Sequence, residues 1–91
     1  CVDKAIMGAN GLSIKKGLTT PDLLQAETKK TMIEIAKEVI VVADHSKLGR
    51  TSFVEVAPIE KIDVLITDDK APKETLKYFE DAGVEVHVVH V

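Results

Sequence analysis

Two apolar runs constrain this chain more than anything else in it. Val39-Ile40-Val41-Val42-Ala43 and Val64-Leu65-Ile66-Thr67, the latter opened by Asp63, carry no polar residue through their centres. A strand with one wet face alternates apolar and polar residues. A strand without alternation is covered on both faces, as in parallel sheets built from βαβ units. Each run is followed by a polar segment, Asp44 to Arg50 after the first and Asp68-Asp69 after the second. Ligands of open α/β sheets sit beyond the carboxyl ends of the strands, so a site belongs there.

The remaining elements order themselves around these two strands. Ala5-Ile6-Met7, between Asp3-Lys4 and the glycines Gly8 and Gly11, reads as a short buried strand delivering a tight turn. Residues 8 to 22 hold three of the five glycines and Pro21. They read as a long loop, and Gly8 to Pro21 as the mobile element of the chain. Thr20-Pro21 opens a helix, with Thr20 as its cap, Pro21 at its first position and Asp22 at the positive end of its dipole. That helix reaches about Lys37, with a stripe of Leu24, Thr28, Met32, Ile35 and Ala36 and with Ile33 beside them. Residues 53–59 fit an extended or a helical connection equally well. A second helix, from about Pro72 to Ala82, buries Leu76, Phe79 and Ala82 and stops at Gly83, and Val84 to Val88 form the last strand.

The order β, loop, α, β, connection, β, α, β with right-handed crossovers implies an α/β fold: a three-layer αβα sandwich with a mainly parallel sheet. Two helices are too few to cover both faces of such a sheet. The 91 residues are therefore expected to be an incomplete fragment of one domain, finished by residues upstream or by a partner.

A formal charge of −3 and a pI near 5.5 argue against a nucleic-acid footprint in this segment, because phosphate backbones need clustered Lys and Arg. Residues 1–50 hold eight Lys/Arg against six Asp/Glu, and residues 51–91 hold four against nine. A small anion is expected in the first half. Cys1 has no second cysteine to pair with and, at the end of the chain, is a poor nucleophile. No signal-like leader and no 18-residue apolar stretch is present, so a cytoplasmic setting without membrane contact is expected.

Three segments carry candidate chemistry. In Asp44-His45-Ser46-Lys47 the lysine is a compact cation suited to a phosphate or carboxylate, and Ser46 and the turn amides add donors. The bland alternative is a turn in which Asp44 accepts backbone hydrogen bonds and Lys47 is solvated. In Gly8-Ala9-Asn10-Gly11 small residues let a ligand approach the main chain, and Asn10 offers donor and acceptor to a sugar hydroxyl. The alternative is turn geometry only. Neither G-x-x-x-x-G-K-[ST] nor G-x-G-x-x-G is present. Glu27, early in the first helix, serves either as a general base or hydroxyl acceptor, or as a local partner of Lys30 or Thr31. His45, His87 and His90 show no metal-ligand spacing, and no metal or cofactor is expected.

Asp3-x-x-x-x-Gly8-Ala9-Asn10-Gly11, Gly17-Leu18-Thr19-Thr20, Ala26-Glu27-x-Lys29-x-x-Met32-Ile33, Asp44-His45-Ser46-Lys47-Leu48-Gly49 and Leu65-Ile66-Thr67-Asp68 together resemble the carboxyl-terminal effector domain of the DeoR family of bacterial sugar-metabolism repressors. The resemblance implies an amino-terminal helix-turn-helix absent from this chain, operator DNA handled by that absent part, and a phosphorylated sugar as effector. It also implies a relation to ribose-5-phosphate isomerase and the CoA transferases. On that relation Lys47 is placed at the ligand's phosphate or nearby oxygens. Lys16-Gly17 matches the isomerase's Lys-Gly pair, Glu27 its catalytic glutamate, and Asp3 the first aspartate of its acidic motif. Ile6-Met7 replaces the second acidic cluster, and Leu18-Thr19-Thr20 replaces a glycine run, so ligand grip is expected without catalysis. The expected effector contacts are Asp3, Gly8, Asn10, Gly11, Lys16, Glu27, Ser46 and Lys47. The chain is then a non-enzymatic part of a homo-oligomeric regulator. The competing readings are a fragment of a sugar-phosphate isomerase and an α/β piece used only for oligomerisation.

Overall fold

The computed structural model describes residues 2–91, so the reading of Cys1 lies outside the described residues. Four parallel strands form the main sheet in the order β1 (Val2–Gly8), β4 (Ala36–Val42), β6 (Val64–Asp68), β7 (Glu85–Val89). A second, antiparallel sheet is made of β2 (Gly11–Ser13), β3 (Gly17–Thr20) and β5 (Val54–Ala57). Two helices complete the fold, α1 (Leu23–Ile35) and α2 (Lys73–Asp81).

Every crossover of the main sheet steps the same way, from β1 to β4 to β6 to β7. Right-handed connections then lay α1, the small sheet and α2 over one face. Strand register fixes which side chains share that face. Ala5 lies beside Val39, and Met7, Val41, Leu65 and Val86 form one row across the four strands. These residues belong to one apolar core with Leu12, Leu18, Ala26, Ile62 and Phe79, most of it fully buried.

The other face presents Ile6 and Ile40, then Val42 and Ile66 one step on. Ile6 is 63% exposed, and Val42 and Val89 are exposed as well. The α/β class and the mainly parallel sheet are as read from the sequence. The continuous β-branched runs, however, are half bare. Among the described residues only one face is layered, so two layers of the expected three-layer αβα sandwich are present.

Residues 8–22 do not form the long mobile loop that their glycines suggested. They fold into the β2–β3 hairpin, whose Leu18, Thr19 and Thr20 pair with Ala57, Glu55 and Val54 of β5. Gly17 makes the hairpin possible. It has φ of +71°, and a Cβ there would stand 2.1 Å from the Ala57 carbonyl oxygen. The glycine is needed for conformation and for close approach. The connection at 53–59, undecided in the sequence, is strand β5 followed by a 3-10 turn, Ile59–Lys61.

Helix α1 starts two residues later than Thr20-Pro21 implied. Asp22 is its cap and accepts the Gln25 amide, because Thr20 is taken up by pairing with β5. Its buried line also differs from the periodic stripe. Ala26 is fully buried, with Ile33 and Met32 packed against the core, while Leu24 is 78% exposed. The small Ala26 lets the helix settle into the angle between the two sheets, a surface that 3.6-residue periodicity cannot foresee. Helix α2 and the last strand fall within a residue of their expected ends.

Gly17→Ala tests the hairpin argument. Its left-handed φ and the clash with Ala57 are expected to cost at least ~1 kcal/mol in chemical denaturation. A melting curve identical to the parent would contradict the close approach.

Candidate functional site

Parallel pairing puts Gly8 beside Val42, and Val42 beside Ile66. The segments that leave β1, β4 and β6 therefore emerge at one edge, about 5 Å apart strand to strand. From β1 comes the turn Gly8 to Gly11, which runs straight into β2. From β4 comes Asp44 and a 3-10 turn, His45–Lys47. Two contacts lock these together: Leu12 bridges to Leu48, and the Gly49 amide donates to the Leu12 carbonyl at 2.7 Å. Gly11 sits under this junction, where a Cβ would meet the Arg50 carbonyl oxygen at 2.7 Å.

The turn after β4 is held by carboxylates. Asp44 Oδ1 accepts the Ser46 amide at 2.8 Å and also the Ser46 hydroxyl. These bonds, with the nearby Lys47 and His45, hold the Asp44 carboxyl below its ordinary range. Asp68, at the end of β6, accepts both the His45 amide and its Nδ1, each at 3.0 Å, and takes the Lys70 amide on its other oxygen. The His45 bonds are the main reason its pKa falls to about 2. Asp44, His45 and Asp68 offer ligand atoms all within 4.8 Å of one another, a convergence that chain spacing does not reveal. Both oxygens of Asp68 and one of Asp44 are committed to hydrogen bonds inside the turn.

The wall facing these turns is the hairpin and α1. Thr19 Oγ1 donates to the Gly11 carbonyl at 3.4 Å and accepts the Ser52 amide at 2.8 Å. Thr20 Oγ1 lies 3.3 Å from the Asn10 side-chain oxygen and 3.1 Å from that of Gln25. One turn further along α1, Lys29 Nζ donates to the Gly8 carbonyl at 2.9 Å.

Of the residues singled out in the sequence, Gly8, Asn10, Gly11, Ser46 and Lys47 meet at this edge. Lys47 is half-buried, in the turn bridged to β2. Ser46 has its hydroxyl on Asp44, so the turn geometry offered as the bland reading is present. Three residues are not brought there. Asp3 lies five residues upstream of Gly8, about 16 Å along the strand, and pairs with Lys37 at 3.9 Å. Lys16 is at the far tip of the hairpin, where it pairs with Glu55 at 3.4 Å. Glu27 is exposed and pairs with Lys30 at 3.7 Å. It sits two residues from Gln25 and Lys29, about 200° round the helix at 3.6 residues per turn, so it faces away from the glycine turn.

Gln25 is the neighbour that sequence reasoning passed over, while Thr20, Lys29 and Asp68 stood in the motifs of the resemblance without being assigned to the site. The four-residue spacing of Gln25 and Lys29, flanking the buried Ala26, was the available signal.

The DeoR C-terminal sensor domain family matches residues 1–69. The chain belongs to that family. It is 45% identical over 92% of its length to the HTH-type transcriptional regulator GlpR of Haloferax volcanii. It is 42% identical over 96% to the HTH-type transcriptional repressor GlcR of Bacillus subtilis. To the glycerol-3-phosphate regulon repressor of Escherichia coli it is 29% identical over 96%. These alignments cover 33%, 33% and 34% of the respective relatives, so this DeoR-family chain spans about a third of their length. No helix among the described residues is long and apolar enough to cross a membrane.

The depressed carboxyl of Asp68 makes an acid-stability prediction. Because its folded pKa of about 2 lies below the ordinary 3.8, the stabilisation is full above about pH 4 and is lost as pH falls towards 2. Asp68→Asn is expected to lower stability at neutral pH and to flatten the stability curve between about pH 4 and 2, read by urea denaturation at stepped pH. An unchanged acid limb would remove the His45 clamp from the account.

Proposed function

We propose that this DeoR-family chain is the effector-binding part of a transcriptional regulator of sugar metabolism, and that its ligand is a phosphorylated sugar or polyol. The observation that carries this reading is the convergence of the Gly8–Gly11 turn and the Lys47 turn at one sheet edge. Small residues there admit a ligand to the main chain, amide groups and Asn10 offer partners to hydroxyls, and a lysine offers a charge to a phosphoryl group. One of the relatives is a glycerol-3-phosphate regulon repressor, which supports the same ligand class.

In this reading the helix-turn-helix lies in the part of the regulator outside this chain. The ligand acts by population shift: it binds one arrangement of the regulator better than the other and so alters how the DNA-binding part sits on its operator. Only differential affinity for the two states moves that equilibrium. The hairpin is tied into the small sheet by its pairing with β5.

The alternative, a fragment of a sugar-phosphate isomerase, needs a carboxylate acid/base at the bound carbon chain. Glu27 faces away from the glycine turn, and α1 presents Gln25 and Lys29 in its place. That observation favours binding without turnover.

In the intact regulator, Lys47→Ala is expected to weaken glycerol 3-phosphate by roughly tenfold to a hundredfold, the worth of a charge-assisted hydrogen bond, and to leave the response to glycerol unchanged. Thermal shift at graded ligand concentration reads both, since stabilisation grows with the ratio of ligand to its dissociation constant. Equal weakening of both ligands would take Lys47 off the phosphate. Conversion of ribose 5-phosphate by the intact protein would favour the isomerase.

A further inference from the structure

We infer that Lys29 is a further cation of the ligand site, gripping the phosphoryl group from the α1 side of the glycine turn. This rests on the effector-site reading above and adds to it a residue on another element. The Lys29 ammonium is partly removed from water, and desolvation alone pulls its pKa below the ordinary lysine value. Among the described residues it enters no ion pair, which it shares with several solvated lysines; what sets it apart is its partial burial together with the Gly8 contact. Its protein partner is one neutral oxygen, the Gly8 carbonyl at 2.9 Å. An ammonium carries three donors. A desolvated cation with one neutral acceptor is stabilised further by any anion that arrives beside it, more strongly than a solvated surface lysine would be.

Gly8 is the last residue of β1, so Lys29 holds its charge at the carboxyl edge of the sheet, beside the turn that carries Asn10 and Gly11. Lys29 also lines an open hollow with Met7, Leu24, Gln25, Thr28 and Met32, whose walls are mostly apolar. Lys29 is the one formal charge among these lining residues. Gln25, one helical turn before Lys29, turns to the same side and reaches Thr20, next to Asn10. Helix α1 thus offers an amide and a cation towards the glycine turn. A phosphoryl group received beside the Gly8 carbonyl would meet the Lys29 charge there, with the glycine turn next to it.

The test is titration calorimetry of the intact protein with inorganic phosphate, glycerol 3-phosphate and glycerol, for the parent, Lys29→Met and Lys29→Arg. Lys29→Met is expected to weaken both phosphates by about tenfold or more without changing the response to glycerol. Lys29→Arg, which keeps the charge, is expected to restore most of the loss. The ligand-free melting temperature of Lys29→Met is expected to stay level or to rise, because a desolvated charge has been removed. If Lys29→Met binds both phosphates as the parent does, the assignment is overturned while the effector reading stands. If its ligand-free form melts lower and it loses glycerol along with the phosphates, Lys29 merely shapes the Gly8 turn and the assignment is again overturned. If the parent binds neither phosphate, the effector reading fails and this inference fails with it.

Discussion

Parallel strand pairing is the constraint from which the rest follows. With β1, β4 and β6 running the same way in tight register, the chain leaves all three at one edge, and every polar segment that follows a strand is delivered to the same place. An antiparallel arrangement would have sent alternate turns to opposite ends and separated the glycine turn from Lys47. The Leu12–Leu48 bridge and the Gly49–Leu12 hydrogen bond then convert proximity into a fixed junction between the two sheets.

Much of this was legible because the signals were of kinds that single sequences carry well. Uninterrupted β-branched runs announced parallel strands, and polar segments after them announced the edge where a site belongs. What stayed hidden depended on pairing at a distance. The β2–β3 hairpin is stabilised by β5, more than thirty residues away, so locally it looked like a glycine-rich loop. The same partner drew Thr20 out of its capping role and turned α1 so that Ala26 rather than Leu24 faces inward.

The site shows the same division. Motif residues within turns, Gly8 to Gly11 and Asp44 to Lys47, arrive together because their strands are neighbours. Residues whose placement depends on the rotation of a helix or the length of a hairpin do not follow the motif: Glu27 points elsewhere, and Lys16 sits at a far tip. Their carboxylate and ammonium are already neutralised by local partners, whereas Lys29 is not.

The uncovered face of the main sheet has one more consequence. Val42 and Ile66 stand on that face only two residues before Asp44 and Asp68, on the same stiff strands. Tilting or sliding these strands by even a fraction of an ångström would be felt at both ends of that short lever. Whatever packs against the bare valines and isoleucines is mechanically adjacent to the turns where an effector would dock, with no intervening loop to absorb the strain.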